Sequence, residues 1–412
     1  MRIRTMIIAT AAAVGGSVSA QTQQVKPPIA VYWMSVETAG GMGMALPPGM
    51  GAMMPPGMAG GKRMTLELGS SQAASGDPRA AHAIPPPLVL GASLPLVTPR
   101  NERAPARERD EEPSFEQPKG RVLVYWGCGE KIRAGQPVIF DFANMNPQDA
   151  ARAFRSVNIA RQRGPSPGRN RTYGVWPNQE DNRPVPANGS LMGDHVITGN
   201  YSPEIRFSVG ERHDFMDAVA FAPITKTAAG AFSVKWKTIP TATGYFATSV
   251  GQGDTQNDIV MWSSSEVQVM GQSLMDYIAP PEVERLIRDK VVLPQSTTEC
   301  AVPAGIYKNE GSMLNFIAYG DELNLVHPPR PKDPKQTWEQ IWVAKLRLKS
   351  TGMTMLAEGD GGSRRNRAGS NAGTERTPPT QREAEPRQVD KPPTPADAVQ
   401  EGVKALRGIL RF

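Results

Sequence analysis

Six methionines, Met42, Met44, Met50, Met53, Met54 and Met58, crowd the glycine- and proline-rich span 40–61. Their thioethers are soft, uncharged ligands of the kind that select Cu(I) over harder metals. No histidine or cysteine stands nearby to reinforce them, and Pro-Pro-Gly-Met occurs twice in the span, as in simple low-complexity sequence. Copper binding is therefore the alternative reading, and a plain insertion with no cofactor is the primary one. The chain has two cysteines, Cys128 and Cys300. In an oxidising compartment an even pair either joins in a disulfide or stays as two separately buried thiols. Joining needs Cα atoms within about 7 Å, and spacing alone leaves both outcomes open.

Four histidines complete the reactive inventory: His82, His195, His213 and His327. Asp194-His195 and His213-Asp214 are the local acid–imidazole neighbours. Adjacent residues on a strand face opposite sides, so neither couple makes a ligand set by itself. The motifs H-E-x-x-H, G-x-S-x-G, S-x-x-K and G-x-x-x-x-G-K-[ST] do not occur. Gly251-Gln252-Gly253 is a turn, because no helix pattern follows it. An enzyme built on this chain would have to draw carboxylates from distant segments, as a glycan hydrolase does with a pair about 5–10 Å apart. The sequence favours a non-catalytic protein.

The elements that must position these residues begin after a leader. Residues 1–20 carry a basic start with Arg2 and Arg4, an apolar run from Met6 to Val14 and a small-residue site at Val18-Ser19-Ala20. That order predicts a cleavable signal peptide with the mature chain starting at Gln21. The apolar run is shorter than the roughly 20 residues that span a bilayer. With no cysteine at the cleavage site, the exported protein is expected to lack a lipid anchor and to reside in the periplasm, the outer envelope or the medium. Of 412 residues, 40 are glycine and 39 proline, concentrated in two tracts, so about 250–300 residues remain to build cores. The net charge of +6 falls to +4 when Arg2 and Arg4 leave. Aromatics are not interleaved with the arginines of the low-complexity segments, which argues against a stacking platform for nucleic acid.

Strand signals then alternate with turns. PPIAVYWMSVET and KRMTLELGS read as paired strands flanking the insertion 40–61, with Met64, Leu66 and Leu68 on one face. A second break covers 72–118. GRVLVYWGCGEKIRAGQPVIFDFA supplies two more strands and closes a first β-domain over 21–143. Val31-Tyr32-Trp33 and Val124-Tyr125-Trp126 repeat one triplet, each followed four residues later by a glutamate, which suggests equivalent strands in one sheet. Residues 144–171 form a basic connector. Beyond it, Ile205, Phe207 and Val209 point inward, as do Phe232, Val234 and Trp236, with Arg206, Ser208, Ser233, Lys235 and Lys237 outward. SLMDYIAPPEVERLIRDKVVL places a helix near 280–293, with Pro280-Pro281 in its first turn and Val283, Leu286, Ile287 and Val291 as its apolar stripe.

The segment FSVKWKTIPTATGYFATSVGQGDTQNDIVMWSSSEVQV resembles the middle of a fibronectin type III or related immunoglobulin-like module. Trp236, the turn Thr241-Ala242-Thr243-Gly244, Tyr245 and Trp262 carry the likeness, over about residues 200–270. The resemblance implies a β-sandwich within 172–357 that serves as spacer or binding module.

Residues 358–394 are too rich in arginine, proline and glycine to bury a core. The last span, 395–412, changes character. On a helix, Val399, Val403, Leu406, Ile409 and Leu410 fall on one side and Lys404, Arg407 and Arg411 on the other. So short a helix needs a surface: the protein's own body, an anionic membrane or a partner's groove. Terminal Phe412, with Leu410 and Leu406, also echoes the ending of an outer-membrane barrel. The sequence therefore reads as a mainly β protein of one or two antiparallel sandwiches with long insertions. It is expected to be exported and to bind an envelope protein or surface polymer.

Overall fold

The computed structural model describes residues 23–41, 60–99, 120–142, 144, 158–160, 162–309 and 311–357. They are mainly β. In chain order the strands are β1 (Val25–Lys26), β2 (Ala30–Ala39), β3 (Gly61–Ser70), β4 (Ala80–Ala83), β5 (Ser93–Pro95), β6 (Arg121–Trp126) and β7 (Val138–Asp141). Next come β8 (Thr172–Trp176), β9 (Gly193–Gly199), β10 (Ser202–Val209), β11 (Thr225–Lys226), β12 (Phe232–Lys235), β13 (Gly244–Gln252) and β14 (Asp258–Ser263). Helix α1 (Pro280–Arg288) precedes β15 (Leu293–Pro294), β16 (Glu299–Val302), β17 (Ser312–His327), β18 (Trp338–Glu339) and β19 (Trp342–Leu356).

A ten-stranded sheet organises the molecule, in the order β7-β6-β14-β13-β17-β19-β2-β3-β8 with β15 beside β13. Outward from the central β13–β17 pair, both directions follow one scheme. Each central strand pairs antiparallel with the next, β14 or β19. A parallel strand follows, β6 on β14 and β2 on β19, and then that strand's antiparallel hairpin mate, β7 or β3. The two Val-Tyr-Trp triplets occupy the two parallel strands, as their echo suggested. The sheet is thus mixed where an antiparallel one was expected. Side-chain alternation reveals that a strand has two faces, but not the direction of its neighbour. The division into 21–143 and 172–357 likewise does not separate sheets, because β6 and β2 of the first span pair with β14 and β19 of the second.

The insertion between β2 and β3 does interrupt a paired hairpin, with the ladder running from Ala30↔Ser70 to Ala39↔Gly61. Met64, Leu66 and Leu68 are buried. A four-stranded sheet, β10-β9-β4-β5, lies against the face of β2 that carries Tyr32, Met34 and Val36. A three-stranded sheet, β11-β12-β16, contributes Phe232, Val234 and Cys300 to the same core, which Trp236 also joins. Trp236 packs against Phe316 and Tyr245, with ring centroids 4.8 and 5.6 Å apart.

Helix α1 begins at its two prolines, where missing N–H groups cost nothing, and carries Glu282 in its first turn. Val283 and Leu286 enter a second core with Phe246, Ile317 and Tyr319. Arg285 clamps the helix by bonding Glu282 at 2.7 Å and Asp289 at 2.6 Å. It also holds the carbonyl of Asn158 at 2.8 Å, and Ala160 N–H donates to Glu282 at 3.1 Å. The end of the basic connector is therefore tied down on the body. There Gly164 sits so close to Trp33 that an added Cβ would fall 2.7 Å from the ring, which leaves no room for a side chain.

Candidate functional site

The two faces of β2 carry different chemistry. Trp33, Ser35 and Glu37 alternate with the core residues and meet a row of cations from β19. The Arg347 guanidinium lies 4.7 Å from the centre of the Trp33 ring and 4.3 Å from that of Tyr277, while its Nε donates to Ser35 Oγ at 2.7 Å. Lys349 lies 4.5 Å from the Tyr277 ring and 3.7 Å from Glu37. Lys345 pairs with Glu322 at 2.5 Å, both largely buried. Carboxylates pair with the two lysines, and aromatic faces attract Arg347 and the lysines through their ring quadrupoles.

On the opposite face, Tyr32 starts a buried polar chain. Its hydroxyl lies 2.8 Å from His82 Nδ1, His82 Nε2 lies 2.9 Å from His195 Nδ1, and His195 Nε2 lies 2.7 Å from the Leu191 carbonyl. A carbonyl can only accept, so His195 carries its proton on Nε2 and presents Nδ1 as acceptor. His82 must then donate from Nε2 and accept at Nδ1 from the tyrosine. Both rings are neutral and every polar atom is satisfied. Burial lowers the pKa of both imidazoles, His82 further because His195 is beside it. Phe207 stacks on His195 at 5.1 Å and 7° between planes. Asp214 supports the far end by accepting from Leu191 N–H at 2.7 Å and Ser190 Oγ at 2.6 Å. Asp194 points away from its neighbour His195 and takes the Ser208 hydroxyl. His213 Nε2 lies 3.7 Å from Asp321, apart from the other imidazoles.

Cys128 and Cys300 are joined in a disulfide, with Cα atoms 5.0 Å apart. Cys128 follows β6 of the large sheet, and Cys300 sits on the outer strand β16 of the small one, opposite Val234. Gly129 N–H donates to the Ala301 carbonyl at 2.9 Å, and the Trp262 indole donates to Gly127 at 3.1 Å. The crosslink and the Gly129–Ala301 bond fasten the two sheets at one point, while the Trp262 bond ties the end of β6 to β14 within the large sheet.

Among the described residues four carboxyls have clearly displaced pKa values, and each goes down. The Arg183 hydrogen bond holds Asp181 at about 2, and the Arg121 hydrogen bond does the same for Asp258. Arg206 lowers Glu204, and Arg285 lowers Glu282. That is the setting of an ion pair, whereas a general acid needs its pKa raised. Among the described residues no group of three or more His, Cys, Asp or Glu is placed to hold a metal. A cleft of about 370 Å³ opens beside β8, walled by Pro78, Pro99, Pro167, Asn170, Arg171 and Tyr173, the tyrosine hydroxyl being bonded to Glu67 at 3.0 Å.

Residues 1–20, expected to be a signal peptide, the methionines Met42, Met44, Met50, Met53, Met54 and Met58, and the C-terminal residues Val399, Val403, Lys404, Leu406, Arg407, Leu410 and Arg411 lie outside the described residues. Sequence reasoning missed the union of His82 with His195, 113 residues apart. The one local signal was inward alternation on the strand of His195. Known protein families, curated proteins and solved structures were compared with the chain, and none matches it.

Proposed function

We propose that this chain is an exported, non-catalytic structural or interaction module of the bacterial envelope. The observation that carries the reading is the disulfide between its two cysteines, since such bonds form and persist outside a reducing cytosol. The signal-like residues 1–20 point the same way. The small sheets packed over the large one support a β-sandwich description, and the likeness of residues 200–270 to fibronectin type III modules fits a binding or spacer role. An envelope protein or surface polymer is the partner class, with residues 395–412 as a peripheral tether.

The test is fractionation of cells expressing the full chain, followed by N-terminal sequencing and thiol alkylation without reductant. A mature chain starting near Gln21, outside the cytosol and with both cysteines blocked from alkylation, supports the proposal. A cytosolic chain that retains Met1 and alkylates at both cysteines would sink it.

A further inference from the structure

Strand β10 ends the four-stranded sheet, and its ladder partner among the described residues is β9. The aim of its free backbone groups follows from hydrogen bonds deeper in that sheet. Leu96 N–H donates to Ala80 at 2.9 Å and Ile84 N–H to Ala92 at 3.1 Å, so the even residues of β4 bond toward β5. Asn200 N–H donates to Arg79 at 3.0 Å, which turns the odd ones toward β9. Antiparallel alternation then directs His195 and Ile197 of β9 toward Phe207 and Ile205 of β10, their ladder partners. Arg206 and Ser208 must aim their N–H and C=O groups out of the sheet, and Glu204 stands beside them at the register shift between Ser202 and Ile205. All three residues are exposed, and no backbone partner meets them among the described residues.

An open edge invites another strand, and the sequence of this one complements itself. We propose that β10 pairs antiparallel with β10 of a second copy of this chain, about a two-fold axis at Ile205. Glu204 of each copy then faces Arg206 of the other. Arg206 presents its outward N–H and C=O to the other copy, and each couple adds an opposite-charge pair on the exposed face. In the single chain Arg206 folds back onto Glu204 of its own strand, so pairing lets the two charges trade partners without stranding either. Moving the axis one residue to Arg206 sets Arg206 against its own counterpart, which like-charge repulsion disfavours. Moving it to Phe207 opposes Arg206 with Ser208 and loses both charge pairs. The ladder stops beyond these couples, because the register shift between Ser202 and Ile205 breaks the alternation there. The contact is short, and the dimer is weak and sensitive to salt.

The experiment is sedimentation equilibrium of the full chain over a concentration series at low ionic strength, with circular dichroism to check each fold. The variants are Glu204→Arg, Arg206→Glu and the double exchange. Wild type forms a dimer, each single variant raises its dissociation constant about ten-fold, and the double exchange restores it. An equimolar mixture of the two single variants also dimerises, since each copy supplies the charge that the other lacks. A chain that stays monomeric overturns the proposal. So does a dimer that the single reversals leave intact, or one that neither the double exchange nor the mixture rescues.

Discussion

His82 Nε2 donates to His195 Nδ1 across 2.9 Å with neither ring exposed to solvent. The bond fixes the tautomers of both rings, and through them the donor role of Tyr32. Tyr32→Phe leaves His82 Nδ1 without a donor and is expected to cost about 1–3 kcal/mol. His82→Phe strands both the tyrosine hydroxyl and His195 Nδ1 and costs more. The double variant should cost clearly less than the sum, because each change strands an atom that the other removes. Urea unfolding of the four proteins measures the coupling, and strict additivity would refute the chain of bonds.

Acid should weaken the fold through the same pair. The folded imidazoles have lowered pKa values, so below the unfolded value near 6.5 the unfolded chain binds protons that the native rings refuse. Stability is complete above that pH and declines as pH falls below it. Asp181 and Asp258, held at about 2 by their arginines, add a second loss from about pH 4 downward. Replacing His82 and His195 together by phenylalanine should flatten the slope between pH 6.5 and 5 while leaving the steeper acid limb. An unchanged slope would place the sensitivity elsewhere.

The disulfide closes a sequence separation of 172 residues. Changing both cysteines to serine is expected to destabilise by about 2–5 kcal/mol. Reduced wild type should unfold at the same urea concentration as the double serine variant. A difference between them would show that the serines perturb packing on their own account.

Trp236 is buried against Phe316 and Tyr245, and its indole N–H has no partner among the described residues. Trp236→Ala should cost about 3–5 kcal/mol through lost packing. Trp236→Phe keeps an aromatic body, abolishes the stranded donor and should cost far less. Equal losses would mean that the indole N–H has a bond to a buried water.

Replacing residues 42–59 with a short turn should leave the unfolding midpoint nearly unchanged. The ladder already brings Ala39 opposite Gly61, and shortening a long closed loop has a small entropic effect. A large drop would show that those residues pack on the body. Cu(I) titration of the same two proteins tests whether the methionines bind metal.

Much of the strand content was legible because local alternation records burial. Phe232, Val234 and Trp236 turn inward, and Lys235 and Lys237 outward, in both sequence and structure. The helix at Pro280 was equally plain, since capping and its apolar stripe are local properties. Pairing was not. Val31 meets Val343, and Val124 meets Met261, across gaps that no short-range pattern spans. The Val-Tyr-Trp echo hinted at equivalence but not at parallel partners. The histidine pair stayed hidden for the same reason. His82 comes from a four-residue strand and His195 from the next strand across the sheet, and nothing near either one announces the other.

The seat of β2 between β19 and β3 fixes when the molecule can become whole. Ala30–Ala39 is among the first strands synthesised, yet its parallel partner is the last strand described. Until residues 342–351 emerge, β2 is the bare edge of the β2–β3–β8 unit, its N–H and C=O groups on that side without the strand they pair with. Long-range pairing of this kind also folds slowly. A chain leaving the ribosome thus stays pliable almost to its end, which suits threading through a narrow translocation channel. Under the export proposed above, that delay is the interval in which the chain can be moved.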